Sequence, residues 1–229
     1  MSANNQAQKL LAEYERVVRA IRIRLLEYYN PKMIWGLIAE TRRELGSLIS
    51  EMPYIGEHHV WQSNLNLSVM SLALYRVLLK NSFLIDEATQ ITDDIFQVYL
   101  LSFPRPLRMA YLWYFFSALH KNGLRESALR SQQRGYPGDW VFTYVEGDGK
   151  TFDIGVNISE CAILKFYQAH KAERFIPYLC RFDDITSQLL GLGFKRTGTL
   201  ASGSNLCDCR WKYDRVKMVL PLPQEPHPA

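Results

Sequence analysis

The chain has 229 residues, 48% of them hydrophobic and 22% charged, which is the composition of a globular protein with room for one sizeable domain or two small ones. That excludes a largely disordered chain. The formal charge of +4 comes from 27 basic residues set against 23 acidic ones; they are spread along the sequence, so no nucleic-acid partner is expected.

The opening stretch, Met1 to Gln8, is polar and lacks the apolar core of a signal peptide, so a cytoplasmic location is expected. From Leu10 to Tyr28 the residues Leu10, Leu11, Tyr14, Val17, Val18, Ile21 and Leu25 recur at helical spacing and predict an amphipathic helix. Asn30-Pro31 ends it, and Met33 to Ile49 predicts a second, with Trp35, Ile38, Leu45 and Leu48 on its apolar side. A loop at Met52–Gly56 leads to His58 and His59, whose adjacency points them in different directions and favours a loop or packing role over shared metal ligation. A third helix is predicted from Asn64 to Lys80. A fourth, capped by Asp86, runs to about Ser102, before Pro104 and Pro106.

Leu107 to Lys121 predicts a fifth helix, apolar nearly all round and therefore central to a helical core. Its most lipophilic part, Met109 to Leu119, is shorter than the ~20 residues that span a bilayer, so no membrane partner is expected. The dense aromatic residues from Tyr111 to Phe116 point to burial or a homodimer face, which leaves a homo-oligomer open.

After Arg134 the texture changes. Trp140 to Glu146 alternates as a strand, Gly147-Asp148-Gly149 marks a hairpin, and a second strand is predicted from Thr151 to Val156. Asn157 and Glu160 have capping-box spacing for a helix from about Ile158 to His170. Asp183 is placed as the cap of a short helix that ends at Gly191-Leu192-Gly193. Strands near Phe194–Leu200 and Leu206–Tyr213 follow. The predicted class is α+β: a helical part over residues 1–134, a smaller antiparallel-sheet part over 135–220, and a tail over 221–229.

All four cysteines lie in the last third, unlike a secreted disulfide framework. Cys161, in the first turn of its predicted helix, is favoured as a thiolate by free amides and the helix dipole; the alternative is a small core residue. Cys180 stands within a helical turn of Asp183, whose charge raises a thiol pKa unless a cation intervenes, with Arg181 and Arg210 as candidates. Cys207 and Cys209 share one face of a strand, and Asp208 and Arg210 the other, at a separation too long for a disulfide between the two cysteines.

The ordered set Tyr136-Pro-Gly-Asp-Trp140, Phe152-Asp-Ile-Gly155, Glu160-Cys-Ala162, Pro177-Tyr-Leu-Cys180 with Asp183, Arg196-Thr-Gly-Thr-Leu-Ala-Ser-Gly203 and Cys207-Asp208-x-Arg210 resembles the L-2-amino-thiazoline-4-carboxylic acid hydrolase family. Ile55-Gly56 and Leu72-Ala-Leu-Tyr-Arg-Val77 are similar too. One departure is Cys209, where the family pattern often has an aromatic residue. The resemblance implies that water opens a 2-amino-thiazoline ring at the carbon bearing the exocyclic nitrogen, giving a carbamoyl-cysteine type of product. It implies Cys161, Cys180 and Cys207 as the family's cysteines and Asp183 and Asp208 as its acids, with Cys180 or Cys161 the nucleophile and Asp183 handling protons. Arg210 is then expected on the substrate carboxylate, with Asp208 and Glu160 as further substrate contacts. No cofactor is expected. The alternative reading is a non-catalytic small-molecule or metal-binding module with zinc or iron held by Cys161, Cys180 and Cys207.

Overall fold

In a computed structural model, which describes residues 3–57 and 59–213, the chain is α+β, as predicted, and divides into two compact units. Among the described residues, one holds the chain up to Met52 together with Asn66–Ser102; the other holds Pro53–Leu65 and the chain from Phe103 to Tyr213. The expected boundary after Arg134 falls inside the second unit. The expected 221–229 tail and His58 lie outside the described residues.

In the first unit, α1 (Ala3–Tyr28) buries Leu10, Tyr14, Val18, Ile21 and Leu25, the stripe its periodicity predicts. Asn30 accepts a hydrogen bond from the Lys32 amide at 2.9 Å and Pro31 occupies the first turn, so the chain turns sharply into α2 (Pro31–Leu48). Its buried stripe is Ile34, Leu37, Thr41, Leu45 and Leu48, and the expected Trp35 is instead half exposed. Ile21, Leu25 and Ile34 pack with Val98 of α4 (Ile85–Ser102). Asp86 lies inside the first turn of α4 rather than capping it, and Glu87 reaches back to the Leu84 amide at 2.7 Å. The helix buried nearly all round is α3 (Gln62–Lys80), through Leu65, Val69, Leu72, Ala73, Val77 and Leu78.

In the second unit the expected fifth helix is two. α5 (Arg105–Phe115) stops where Ser117 caps α6 (Ala118–Ser131), its hydroxyl accepting from the His120 amide at 3.3 Å. Within α5 only Leu112 is fully buried, while Trp113 is 66% exposed, so this helix is not the centre of a core.

The sheet has the order β1-β2-β4-β3 and is antiparallel throughout: β1 (Val141–Glu146), β2 (Ile154–Glu160), β3 (Phe194–Lys195) and β4 (Cys207–Trp211). The second strand begins and ends later than predicted. Asp148 accepts bonds from the amides of Lys150, Thr151 and Phe152, which takes those residues out of the ladder. At the other end, Asn157 accepts from Arg210 and Glu160 pairs with Arg134 and Lys165, so neither is free to cap a helix, and β2 continues to Glu160.

Helix α7 (Ala162–Ala169) starts one residue after Cys161, and α8 (Ile176–Leu179) and α9 (Phe182–Leu190) follow. Gly191, at φ +73°, ends α9 in the left-handed conformation that the Gly-Leu-Gly run predicts. The expected strand from Phe194 is only two residues long, because Leu200–Ser202 forms a 3₁₀ turn capped by Thr199.

One tie fixes the sheet to α6. The buried Ser131 hydroxyl accepts from the Phe142 amide at 3.1 Å and lies 3.0 Å from the Phe142 carbonyl. Ser131→Ala leaves that amide buried without this acceptor, and a loss of about 1–3 kcal/mol is expected in urea unfolding. An unchanged midpoint would show that the strand does not depend on it.

Candidate active site

The second unit gathers most of the chemistry-bearing side chains. On β4 the alternation holds as predicted: Cys207 and Cys209 are buried on one face, and Asp208 and Arg210 are only partly buried on the other. Asp208 accepts from the Thr197 amide (2.8 Å), the Thr197 hydroxyl (2.7 Å) and the Gly198 amide (3.0 Å). Desolvation works to raise its pKa, but these bonds prevail and hold the carboxyl at about 2. Asp208 is thus a clamp on the loop that carries Arg196. Arg210 donates to the Val156 carbonyl (3.1 Å), to its own neighbour's carbonyl at Cys209 (2.8 Å) and to the Asn157 side chain (2.8 Å). Its fork is engaged with β2, away from the two thiols on its strand.

Arg196 is the residue that joins the site. Its guanidinium donates to the Cys180 carbonyl at 2.7 Å and to the Asp183 carboxylate at 3.1 Å, with Asp184 at 3.4 Å. Cys180 closes α8, and Asp183 stands in the first turn of α9 rather than at the cap, which is Arg181. Arg196, from the loop after β3, is thus a cation shared by the Cys180 backbone and the Asp183 carboxylate. Desolvation pushes Asp183 up to about 6, against the pull of Arg196, even though its side chain is 42% exposed. A carboxyl at that value exchanges protons near neutral pH. Burial raises Cys180 to about 12; Arg196 opposes the rise, while Cys161, Asp183 and Cys207 add to it.

Cys161 immediately precedes α7, as its N-cap. Burial pushes its thiol up to about 11, outweighing the Leu164 and Ile163 amides and the Trp140 side chain, which act to lower it. Desolvation of the charged form thus works against the thiolate expected at this helix end and outweighs what the two amides return. Cys207 receives the Leu200 amide on its sulfur at 3.2 Å, yet burial still raises its pKa, as it does that of Cys209.

Beside Cys161, Glu160 pairs with Arg134 and with Lys165 (2.5 Å), and Lys165 also donates to the Pro137 and Asp139 carbonyls at 2.9 Å. His59 stacks on Trp140, with centroids 5.4 Å apart and planes 15° apart. Its Nδ1 accepts from the Trp61 amide at 3.1 Å, which puts the ring proton on Nε2, 3.3 Å from Asp139. Desolvation lowers the His59 pKa, which favours the neutral imidazole in its stack on Trp140, whose side chain in turn acts on the Cys161 thiol.

Cys161, Asp183 and Cys207 all act on Cys180, and Asp183 and Cys207 act on Cys209, so these side chains form one electrostatic neighbourhood. Among the described residues no three His, Cys, Asp or Glu side chains form a group fit to hold one metal ion. Sequence reasoning missed the role of Arg196; the sole signal was its position at the head of the Arg196–Gly203 motif.

The thiols, the Asp183 carboxyl and the guanidinium of Arg196 thus lie on the α+β unit of the fold. The chain belongs to the L-2-amino-thiazoline-4-carboxylic acid hydrolase family, whose model matches residues 69–211. No curated protein and no solved structure matches it. Membership points to hydrolysis of a small molecule. No helix among the described residues is long and apolar enough to cross a membrane.

Proposed function

We propose that this chain hydrolyses a small cyclic amidine carrying a carboxylate, of the 2-amino-thiazoline-4-carboxylate kind, with Cys180 as nucleophile and Asp183 as proton carrier. The observation that carries this reading is the Arg196 guanidinium, which holds the Cys180 backbone and the Asp183 carboxylate at once. Family membership supplies the substrate class.

Burial pushes the Cys180 thiol up to about 12, so at pH 7 the resting protein holds it as the thiol. Attack therefore needs the bound substrate. An amidinium brings a positive charge beside the sulfur, which favours the thiolate, and Asp183 stands ready to accept the proton. Cys180 Sγ adds to the ring carbon bonded to sulfur and nitrogen, and its proton passes to Asp183. The bond from that carbon to the ring sulfur breaks, and the departing sulfur takes the proton back. The opened substrate is then an isothiourea joined to Cys180. Water adds to the same carbon, Asp183 carries its proton to the Cys180 sulfur as the carbon–Sγ bond breaks, and a carbamoyl-cysteine leaves. The sum is one water added.

Incubation of the purified protein with L-2-amino-thiazoline-4-carboxylate is expected to give a product heavier by one water, absent after iodoacetamide treatment. No product from the untreated protein would overturn this substrate class. Because the active base is the ionised form of Asp183, rates are expected to rise with pH across about 6 and then level, and Asp183→Asn to lose that limb along with about 10²–10⁴-fold in rate. A wild-type rate that is flat from pH 5 to 7 would remove Asp183 from the role.

A further inference from the structure

With Arg210 engaged along β2, the substrate carboxylate needs another cation. Arg108, in α5, is half-buried, and two of its three guanidinium nitrogens, Nε and Nη1, are shielded from solvent without a hydrogen-bond partner. A guanidinium is a permanent cation, and shielding two of its nitrogens from water without an acceptor is unfavourable, so such a side chain calls for an anion.

Its position directs it toward the site. Along α5, Arg108, Leu112 and Phe115 follow at intervals of four and three and share one helix face. Leu112 is buried, and the Phe115 ring meets Trp211 of β4 at 5.6 Å; Trp211 lies on the same face of that strand as Cys207 and Cys209, so this side of the helix turns onto the cysteine face of the sheet. One turn after Arg108, Tyr111 lies near the Asp183 carboxylate: partial burial, and then Asp183, raise the pKa of its hydroxyl, although the residue is 42% exposed. Arg108 thus stands on the same side of the helix as residues that touch β4 and sense Asp183.

We infer that Arg108 is the anion-binding residue of this site and takes the carboxylate of a small carboxylic acid ligand on its buried donors. The planar fork of a guanidinium matches a carboxylate better than an ammonium does. The inference rests on the hydrolase reading only for the class of ligand; the missing partner of Arg108 is independent of it.

Calorimetric titration with thiazolidine-4-carboxylate and thiazolidine-4-carboxamide, saturated rings with no amidine to hydrolyse, tests it without turnover. The wild-type protein is expected to bind the carboxylate at least about tenfold more tightly than the amide, and Arg108→Met to reduce that ratio to about one. A wild-type protein with no such preference, or an Arg108→Met protein that keeps it, overturns the inference; so does loss of the preference in Arg210→Met alone. Arg108→Lys, which keeps charge without the fork, decides the matter should the Met variant not fold: a several-fold smaller preference supports the assignment, and an unchanged one overturns it. A protein that prefers the carboxylate but never hydrolyses the thiazoline keeps Arg108 in this role and overturns the hydrolase reading alone.

Discussion

Cys180→Ala is expected to lower turnover by on the order of 10⁴-fold or more, since removal of an attacking atom takes away the covalent route entirely. The cost to folding is small by comparison. The thiol is only partly exposed and packs at the end of α8, so its removal is worth about 1 kcal/mol, or roughly 2–4 °C in melting temperature for a chain of this size. Cys161→Ala and Cys207→Ala are the necessary companions, because both thiols couple to Cys180. If Cys180 attacks, each of them reduces the rate far less than Cys180→Ala does, and acid-quenched wild-type protein carries the isothiourea mass on the peptide containing Cys180. Full activity in Cys180→Ala with loss in Cys161→Ala would transfer the role to Cys161.

In β1 the neighbours Val141 and Phe142 are both buried, so alternation marked the strand without marking its buried face. The amphipathic α1 was legible because one face meets a core and the other meets solvent, and periodicity records that asymmetry directly. The helix expected at Ile158 was not: Asn157 and Glu160 have the residue types of a cap, but their side chains are claimed by Arg210, Arg134 and Lys165, partners distant in sequence. The same limit applies to charge. Local reasoning placed Cys161 beside helpful amides, whereas burial, which depends on the whole fold, sets the direction of its pKa. In the site, the alternation of Cys207 and Cys209 against Asp208 and Arg210 could be read from strand period alone. What each member does could not, since Asp208 binds a loop and Arg210 a neighbouring strand. Arg196 and Arg108 carry no periodic signal; one is defined by what it bridges, the other by what it lacks.

Arg196→Met is expected to cost both fold and rate, and the pH dependence separates the two. In the native site the guanidinium is only 14% exposed and neutralises Asp183 while tying the α8 end to the loop after β3. Its loss leaves a desolvated carboxylate beside Asp184, with a destabilisation of about 1–3 kcal/mol once the partial exposure of Asp183 is allowed for. The Asp183 pKa, already raised, then moves further up because the one group opposing desolvation is gone. As the raised pKa belongs to the folded state, proton binding favours folding: the added destabilisation is greatest above the new pKa and shrinks as pH falls through it toward the ordinary carboxyl range. Catalysis runs the opposite way, since Asp183 must be ionised to accept the thiol proton, so the rising limb of the rate profile shifts to higher pH than in the wild type. Arg196→Lys restores a charge but cannot span the Cys180 carbonyl and the Asp183 carboxylate with one planar fork. It is expected to return stability more fully than rate. A variant that is merely less stable, with its limb still near pH 6, would show that Arg196 braces the fold without setting the Asp183 proton.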